Sequence, residues 1–390
     1  MNVLSVSSGR ADIGILTPVW RALAANDAVT LHVLLTGAHV TDDSAARRAL
    51  PPRGVAHTAG ADIAGRSGAG ATNAMAHIAD AAGQLAARLI PDRVLLIGDR
   101  LDMLPAALGL VPLNMPLVHL HGGELTYGAA DERARHAMTK LSHLHCTATA
   151  EAASRVAQMG EEAWRIFVTG APGLDSLREA PQMSAAEFAA AMGLASIEGL
   201  RLVTVHPETN AADPLAALDA ALDALDAAPG PALITAPNAD PGAIEARGRI
   251  DAFLRRHRRA MFHETLGATL YANALRHAAV MIGNSSSGLL EAGLFGLPVI
   301  NIGARQAGRQ RGANVRDCPA DAASVVELLR DLPTRFASGT PYGDGHAGIR
   351  VASVITAAHD TNRLLYKQFA TDVPHFAAPW DAPAEQLRQA

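Results

Sequence analysis

The chain has 390 residues, 49% of them hydrophobic and 18% charged, with a formal net charge of −5. That balance excludes a disordered chain and argues against a nucleic-acid coat or a membrane-surface binder, and the length predicts two to three domains. Two cysteines, Cys146 and Cys318, exclude a disulfide framework and point to a reducing cytoplasm.

The first residues, MNVLSVSSGRAD, lack the basic and apolar regions of a signal peptide. The longest uncharged apolar stretch, 103–118, carries Pro105, Pro112, Asn114 and Pro116, a pattern that would break the backbone bonding of a bilayer-spanning helix. In chain order, short apolar runs predict strands at 3–6, 31–35, 94–97, 117–120 and 167–168, with helices at 13–25, 73–89 and 132–141. A break is expected at 180–200, where Pro181 and a short Ala-rich helix interrupt the rhythm. Strands then resume at 202–205, 232–235, 260–263, 280–282 and 299–302, with helices at 214–227, 244–257, 266–276 and 289–295.

This alternation predicts an α/β protein with parallel sheets and right-handed crossovers. The expected domains are 1–180 and 200–350, facing each other across a cleft. A last helix at about 351–370, within a final segment 351–390, is expected to cross back onto the first domain.

Polar turns follow the predicted strands. Gly9-Arg10-Ala11-Asp12, Gly98-Asp99-Arg100 and His121-Gly122-Gly123-Glu124 lie in the first half, and His206-Pro207-Glu208-Thr209, Pro237-Asn238-Ala239-Asp240 and Gly283-Asn284-Ser285-Ser286-Ser287-Gly288 in the second. Any one such turn is ordinary loop polarity. Six at strand ends point to one ligand site, because open parallel sheets bind ligands at the carboxyl ends of their strands.

The GNSSSG turn offers backbone N–H groups and hydroxyls at a helix start, which suits a diphosphate or, equally, a plain helix cap. Glu291, one helical turn after Ser287, can face the same ligand and accept from ribose hydroxyls. Arg305, Arg309 and Arg311 add positive charge nearby. No GxGxxG turn, GxxxxGK[ST] loop or G-x-S-x-G elbow occurs, so dinucleotide oxidoreduction, P-loop hydrolysis and serine hydrolysis lose their usual support. His119 and His121 are expected to point the same way, as are His143 and His145, with His136 between. Without HExxH or a recognised carboxylate spacing, hydrogen-bonding histidines are favoured over a metal site. Neither a metal nor a cofactor is expected, and the two cysteines read as packing residues.

The segments SSGRADIGILTP, IGDRLDML, HLHGGELTYGAADERARHAMTKLSHLH, VTVHPET, APNADPG, IGNSSSGLLEAGLFGLPVINIGARQAGR and YGDG, in this order, resemble those of the hydrolysing UDP-N-acetylglucosamine 2-epimerases. That family includes bacterial sialic-acid and legionaminic-acid enzymes. The resemblance implies a GT-B fold, two Rossmann-like domains with the nucleotide mainly on the second. It implies conversion of a UDP-linked 2-acetamido sugar and water into UDP and the free 2-epimer, by elimination to a glycal and addition of water. It implies a homodimer or homotetramer whose partner is a nucleotide sugar, not nucleic acid or membrane. Asp99, Asp131 and Glu124 are the implied proton-transfer groups, with Arg100, His206 and His121 assisting. Arg10, Asn238, Ser285, Ser286, Ser287, Glu291 and Arg305 are the implied substrate and nucleotide contacts. Some relatives carry Glu at the place of His121. A GT-B glycosyltransferase and a nucleotide-sugar sensor without turnover are the competing readings.

Overall fold

Unbroken runs of Val, Leu and Ile have no polar face to offer water, so they become strands covered on both sides. The computed structural model describes residues 1–63, 68–98, 100–127, 131–208, 211–237 and 242–381. The chain divides into two units, Met1–Ser176 with Tyr342–Ala390, and Leu177–Pro341.

In the first unit the strands are β1 (Asn2–Ser7), β2 (Thr30–Leu35), β3 (Val55–Thr58), β4 (Arg93–Ile97), β5 (Leu117–Leu120), β6 (Leu144–Thr147) and β7 (Ile166–Val168). They form a parallel sheet in the order β3-β2-β1-β4-β5-β6-β7. In the second unit β8 (Arg201–Thr204), β9 (Ala232–Thr235), β10 (Ala260–His263), β11 (Val280–Gly283), β12 (Val299–Ile302) and β13 (Val315–Cys318) are ordered β10-β9-β8-β11-β12-β13, again parallel. In each sheet the first strand sits beside both the second strand and a later one, which is the Rossmann arrangement with a topological switch point.

Three strands escape the sequence reading. VAHT of β3 is a half-exposed edge strand, LHCT of β6 sits in a histidine-rich stretch, and VRDC of β13 exposes its two central residues. The apolar stretch at 103–118 contains a buried helix, Met103–Leu110, with Pro105 in its first turn where a missing N–H costs little.

The expected helix at 351–370 is corrected to two, Ala347–Thr356 and Thr361–Leu365. Ala357 is extended and Asp360 caps the second helix by accepting from Arg363 N at 3.0 Å, so continuation is broken locally. Both helices belong to the first unit and bury Val351, Ile355 and Leu364 in its core. Asp175 caps the first of them, accepting Ala347 N at 3.0 Å and Gly348 N at 2.6 Å. The fully buried Arg165 guanidinium donates to the carbonyls of Arg363, Leu364 and Tyr366 at 2.8–3.0 Å, satisfying the end of the second.

Glu161 completes the anchor. Its buried carboxylate accepts from Lys140 at 2.5 Å, Lys367 at 2.8 Å and His145 at 3.0 Å. Burial alone would raise its pKa, but the His145 and lysine bonds outweigh that and hold it down at about 2. A depressed carboxyl pKa stabilises the fold above the unfolded value, and that contribution is lost as pH falls towards the folded one. Acid titration of unfolding should therefore show the parent losing up to about 3 kcal/mol between roughly pH 4.5 and 2. Glu161→Gln should start less stable at neutral pH and lose less across that window, read by urea denaturation at each pH.

Candidate active site

The carboxyl end of β1 opens into Ser8-Gly9 and the helix Arg10–Ala24. Asp12, at the third position of that helix, accepts Ser8 N at 2.6 Å and Gly9 N at 3.1 Å, which fixes the turn. Burial raises the Asp12 pKa against the pull of these N–H groups. Ser8 Oγ donates to Asp102 at 2.9 Å, tying the turn after β1 to the turn after its sheet neighbour β4. Asp102 in turn accepts from Arg100 Nε at 3.2 Å and Nη2 at 3.1 Å. Burial works against the Arg100 charge, but Asp102, Asp12 and Asp131 outweigh it and raise its pKa. Asp131 begins the helix Asp131–Leu141, and its pKa is raised by burial and opposed by Arg100. Arg100 thus stands among three carboxylates at the switch point of the first sheet.

Arg10 is turned elsewhere. Its side chain is exposed and pairs with Asp42 at 2.9 Å. Asp99 lies outside the described residues.

After β5 the chain turns sharply. His121 has φ 66°, a left-handed conformation that is strained for a residue with a side chain. Its Nδ1 lies 2.6 Å from Glu124 Oε1, and its Nε2 is buried without a hydrogen-bond partner among the described residues. The surroundings hold the strain. Buried Arg135 donates to Glu124 O at 2.6 Å, and Arg155 donates to Gly123 O at 3.1 Å. Gly123 has φ 77°, and a Cβ there would collide with the Ala152 carbonyl.

The expectation that His119 and His121 share a direction fails, because β5 ends at Leu120 and His121 leaves the strand geometry. His119 is sealed in the core against Thr139 Oγ1 at 3.2 Å and Gly98 O at 2.8 Å, and burial pushes its pKa down to about 3. His143 accepts from Leu117 N at 3.0 Å, His145 faces Glu161, and His136 pairs with Glu132 at 3.0 Å. Among the described residues no group of three or more His, Cys, Asp or Glu could hold a metal ion. Both cysteine thiols are buried and held well above their ordinary pKa, consistent with packing.

The second sheet repeats the plan at its own switch point, between β8 and β11. Buried Asn284 accepts from His206 N at 2.7 Å and donates to His206 O at 2.9 Å, clamping the two turns together. The carbonyl of Asn284 accepts from Gln306 Nε2 at 2.9 Å and Arg305 Nη1 at 3.3 Å, so the turn after β12 joins them. Ser285 caps the following helix, its hydroxyl 3.1 Å from Ser287 Oγ. Burial first, and Arg305 second, push His206 down to about 4, so it is neutral at neutral pH.

The helix expected at 289–295 is corrected to the five-residue helix Ser286–Leu290 followed by a 3₁₀ turn at Ala292–Phe295. A helix this short carries little dipole, so positive charge at this turn comes chiefly from Arg305. Arg311 is engaged by Asp317 at 2.7 Å and by Arg309 O. Burial raises Glu291 to about 7. Asn238 lies outside the described residues.

Asp12, Asp102 and Asn284 lie in segments that the sequence marked but were given no role there, and Tyr271 was not singled out at all. Asp12 had a signal, an acid at the third helix position after a Ser-Gly turn. The Ser8 bond of Asp102 and the contacts of Tyr271 had none, since those partners come from other elements.

A family model described as UDP-N-acetylglucosamine 2-epimerase matches residues 21–356. The chain is 30% identical over 371 residues to a UDP-N,N'-diacetylbacillosamine 2-epimerase (hydrolyzing) of Legionella pneumophila, covering 94% of this chain and 98% of that one. It is 30% identical over 378 residues to a UDP-N-acetylglucosamine 2-epimerase of Neisseria meningitidis, covering 94% and 98%. The crystal structure of a UDP-GlcNAc 2-epimerase from Neisseria meningitidis bound to UDP-GlcNAc superposes with a TM-score of 0.77 at 18% identity, over 91% of this chain and 99% of that one. The likeness is one of fold: two Rossmann-like α/β domains of GT-B-like type.

The His206 environment is open to test. Arg305→Ala should raise the His206 ring pKa, yet leave it below the ordinary histidine value, because burial is the larger cause. Imidazole chemical shifts followed by NMR across pH read this directly. A ring pKa that does not rise in Arg305→Ala contradicts the assigned contact.

Proposed function

Because the chain belongs to the UDP-N-acetylglucosamine 2-epimerase family, we propose that it converts a UDP-linked 2-acetamido sugar, UDP-GlcNAc or a 2,4-diacetamido relative, and water into UDP and the free 2-epimer. The observation that carries this reading is the position of the two polar constellations. Each stands at the topological switch point of its sheet, where such folds bind ligands. The proposed labour is divided. The second unit holds the nucleotide, and the first handles the sugar.

The C2 hydrogen of such a sugar is not next to a carbonyl and is weakly acidic. Its removal becomes feasible when the C1–O bond to UDP breaks in the same step, leaving a C1=C2 glycal, free UDP and a proton on the enzyme. Stabilising the departing diphosphate is then the main electrostatic task. Arg305 and the hydroxyls of Ser285, Ser286 and Ser287 are the groups proposed for it. Neutral His206 beside Arg305 can donate a hydrogen bond to the phosphate or the sugar. Glu291 takes the ribose hydroxyls. Arg10, paired at the surface with Asp42, would have to exchange that partner before touching a phosphate. Asn238 is retained as a nucleotide contact.

Water next adds to the glycal, oxygen to C1 and hydrogen to C2 on the opposite face. This needs groups that take and return protons at neutral pH. Asp99, Asp131 and Glu124 are the proposed carboxylates, and burial raises Asp131 in the direction such a role requires. His121 relays protons through its buried Nε2, oriented by Glu124 at Nδ1. Arg100, held by Asp102, orients the sugar. A homodimer or homotetramer in a reducing cytoplasm completes the reading. No helix among the described residues is long and apolar enough to cross a membrane.

Incubation with UDP-GlcNAc and UDP-diacetamido sugars in deuterium oxide should release UDP and give product deuterated at C2, seen by NMR. Unlabelled GlcNAc would mean simple hydrolysis, and transfer to an acceptor without exchange would mean a glycosyltransferase. Asp99→Asn should abolish turnover while UDP affinity stays near the parent value. Ser286→Ala combined with Ser287→Ala should weaken UDP binding by about tenfold or more, as lost hydrogen bonds to a charged group do. Equal effects of the two variants on UDP binding would refute the division of labour.

A further inference from the structure

A residue outside the GNSSSG turn reaches into it. Tyr271 comes from the helix Gly267–His277, whose position is fixed by Asn273. That buried amide accepts Met183 N at 2.9 Å and donates to Pro181 O and Thr269 O, each at 2.9 Å. His277, on the last turn, is held by Met183 O at 2.8 Å. The helix therefore delivers the Tyr271 ring to a set place.

The ring's hydroxyl is buried, makes no hydrogen bond of good geometry among the described residues and lies within interaction range of both Ser287 and Glu291. A buried hydroxyl whose hydrogen bonds are poorly formed is costly, and its persistence needs a reason. Ser287 Oγ is itself 3.1 Å from Ser285 Oγ, so the groups that Tyr271 interacts with are the carboxylate and one member of a hydroxyl pair.

We propose that Tyr271 is a positioning residue of the nucleotide site, its hydroxyl joining the carboxylate that takes the ribose diol to the serine that takes the diphosphate, so that the site selects an intact ribonucleoside diphosphate. The inference rests on the nucleotide reading above. An ionised carboxylate offers about four acceptor positions. The ribose diol fills two, and the Tyr271 hydroxyl donates to a third, which favours the ionised form that the diol needs. Among the described residues the titratable group acting on Glu291 is Tyr271, while Arg305 acts on His206. Burial holds Glu291 near the point where it loses its charge, so the single hydroxyl matters.

Calorimetric titration of the full chain with UDP and with 2′-deoxy-UDP, across about pH 6.5 to 9, tests this. The parent, Tyr271→Phe and Glu291→Gln are compared, so that ionisation of the ligand itself cancels. Tyr271→Phe should bind UDP about tenfold more weakly at neutral pH, the size expected for one hydrogen bond to a charged group. It should lose most of its preference for UDP over 2′-deoxy-UDP, and its gain of affinity with pH should move upward. Glu291→Gln should lose the preference and the protein's share of the pH dependence together.

Tyr271→Phe binding both nucleotides like the parent overturns the proposal. So does an equal loss for both nucleotides with the pH profile unmoved, which marks a merely structural ring. Should Tyr271→Phe fail to fold, Glu291→Gln keeping the preference for UDP overturns it alone. A parent that does not bind UDP at all refutes the nucleotide reading itself, an outcome distinct from a parent that binds UDP and a Tyr271→Phe that behaves like it.

Discussion

The parallel sheet buried on both faces is the constraint on which the rest of this protein depends. Its strands present mainly apolar side chains to the helices above and below, with the few polar ones, such as Ser5, His119 and His145, bonded inside the core, so the polar groups open to a ligand gather at the strand ends. At the carboxyl ends, β1 and β8 each have neighbours whose connections leave in opposite directions. The space between those departing connections is where turns can offer polar groups to a ligand without disturbing a core. One topology used twice thus produces two constellations of different character, carboxylate-rich in the first unit and hydroxyl- and arginine-bearing in the second.

What makes those turns precise enough for chemistry is a set of buried polar clamps. Asn284 locks the turn after β11 to the turn after β8 through both atoms of its amide. Asp12 and Asp102 do the same between β1 and β4, and Arg135 and Arg155 hold the left-handed His121 turn from behind. All but the Asp102 clamp, which takes the Ser8 hydroxyl, satisfy backbone groups that a turn would otherwise leave without partners. Buried networks of this kind rigidify their surroundings when every member is bonded. The members left unbonded are therefore informative. Among the described residues, His121 Nε2 and Tyr271 Oη are buried without a hydrogen bond of good geometry, and both belong to groups proposed to act in the site.

Burial also shifts the ionisation of these groups. In the first unit it raises Asp12 and Asp131, while Asp102, Asp12 and Asp131 favour the Arg100 charge; in the second it raises Glu291 and pushes His206 down. Groups whose ionisation is poised by opposing environments are what proton transfer at neutral pH requires. The same physics has a structural use elsewhere. Glu161, surrounded by Lys140, Lys367 and His145, is driven the opposite way and pins the C-terminal segment to the first unit.

The sequence alone was enough for the alternation of apolar strands and amphipathic helices, and hence the α/β class, because that periodicity is written locally. Its polar turns were legible too, since each lies immediately after a run of Val, Leu or Ile. The strands β3, β6 and β13 were not, because their burial depends on neighbours rather than on their own polar or alternating residues. Nor was the surface pairing of Arg10, the separation of His119 from His121, or the break at Ala357. Tertiary structure alone decided which turns meet. Ser8 and Asp102 are 94 residues apart and bond only because β1 and β4 are adjacent in the sheet. Tyr271 reaches Glu291 only because one helix is pinned beside another turn. Periodicity is a property of a short stretch of chain, whereas a site is a property of which stretches the sheet order makes neighbours.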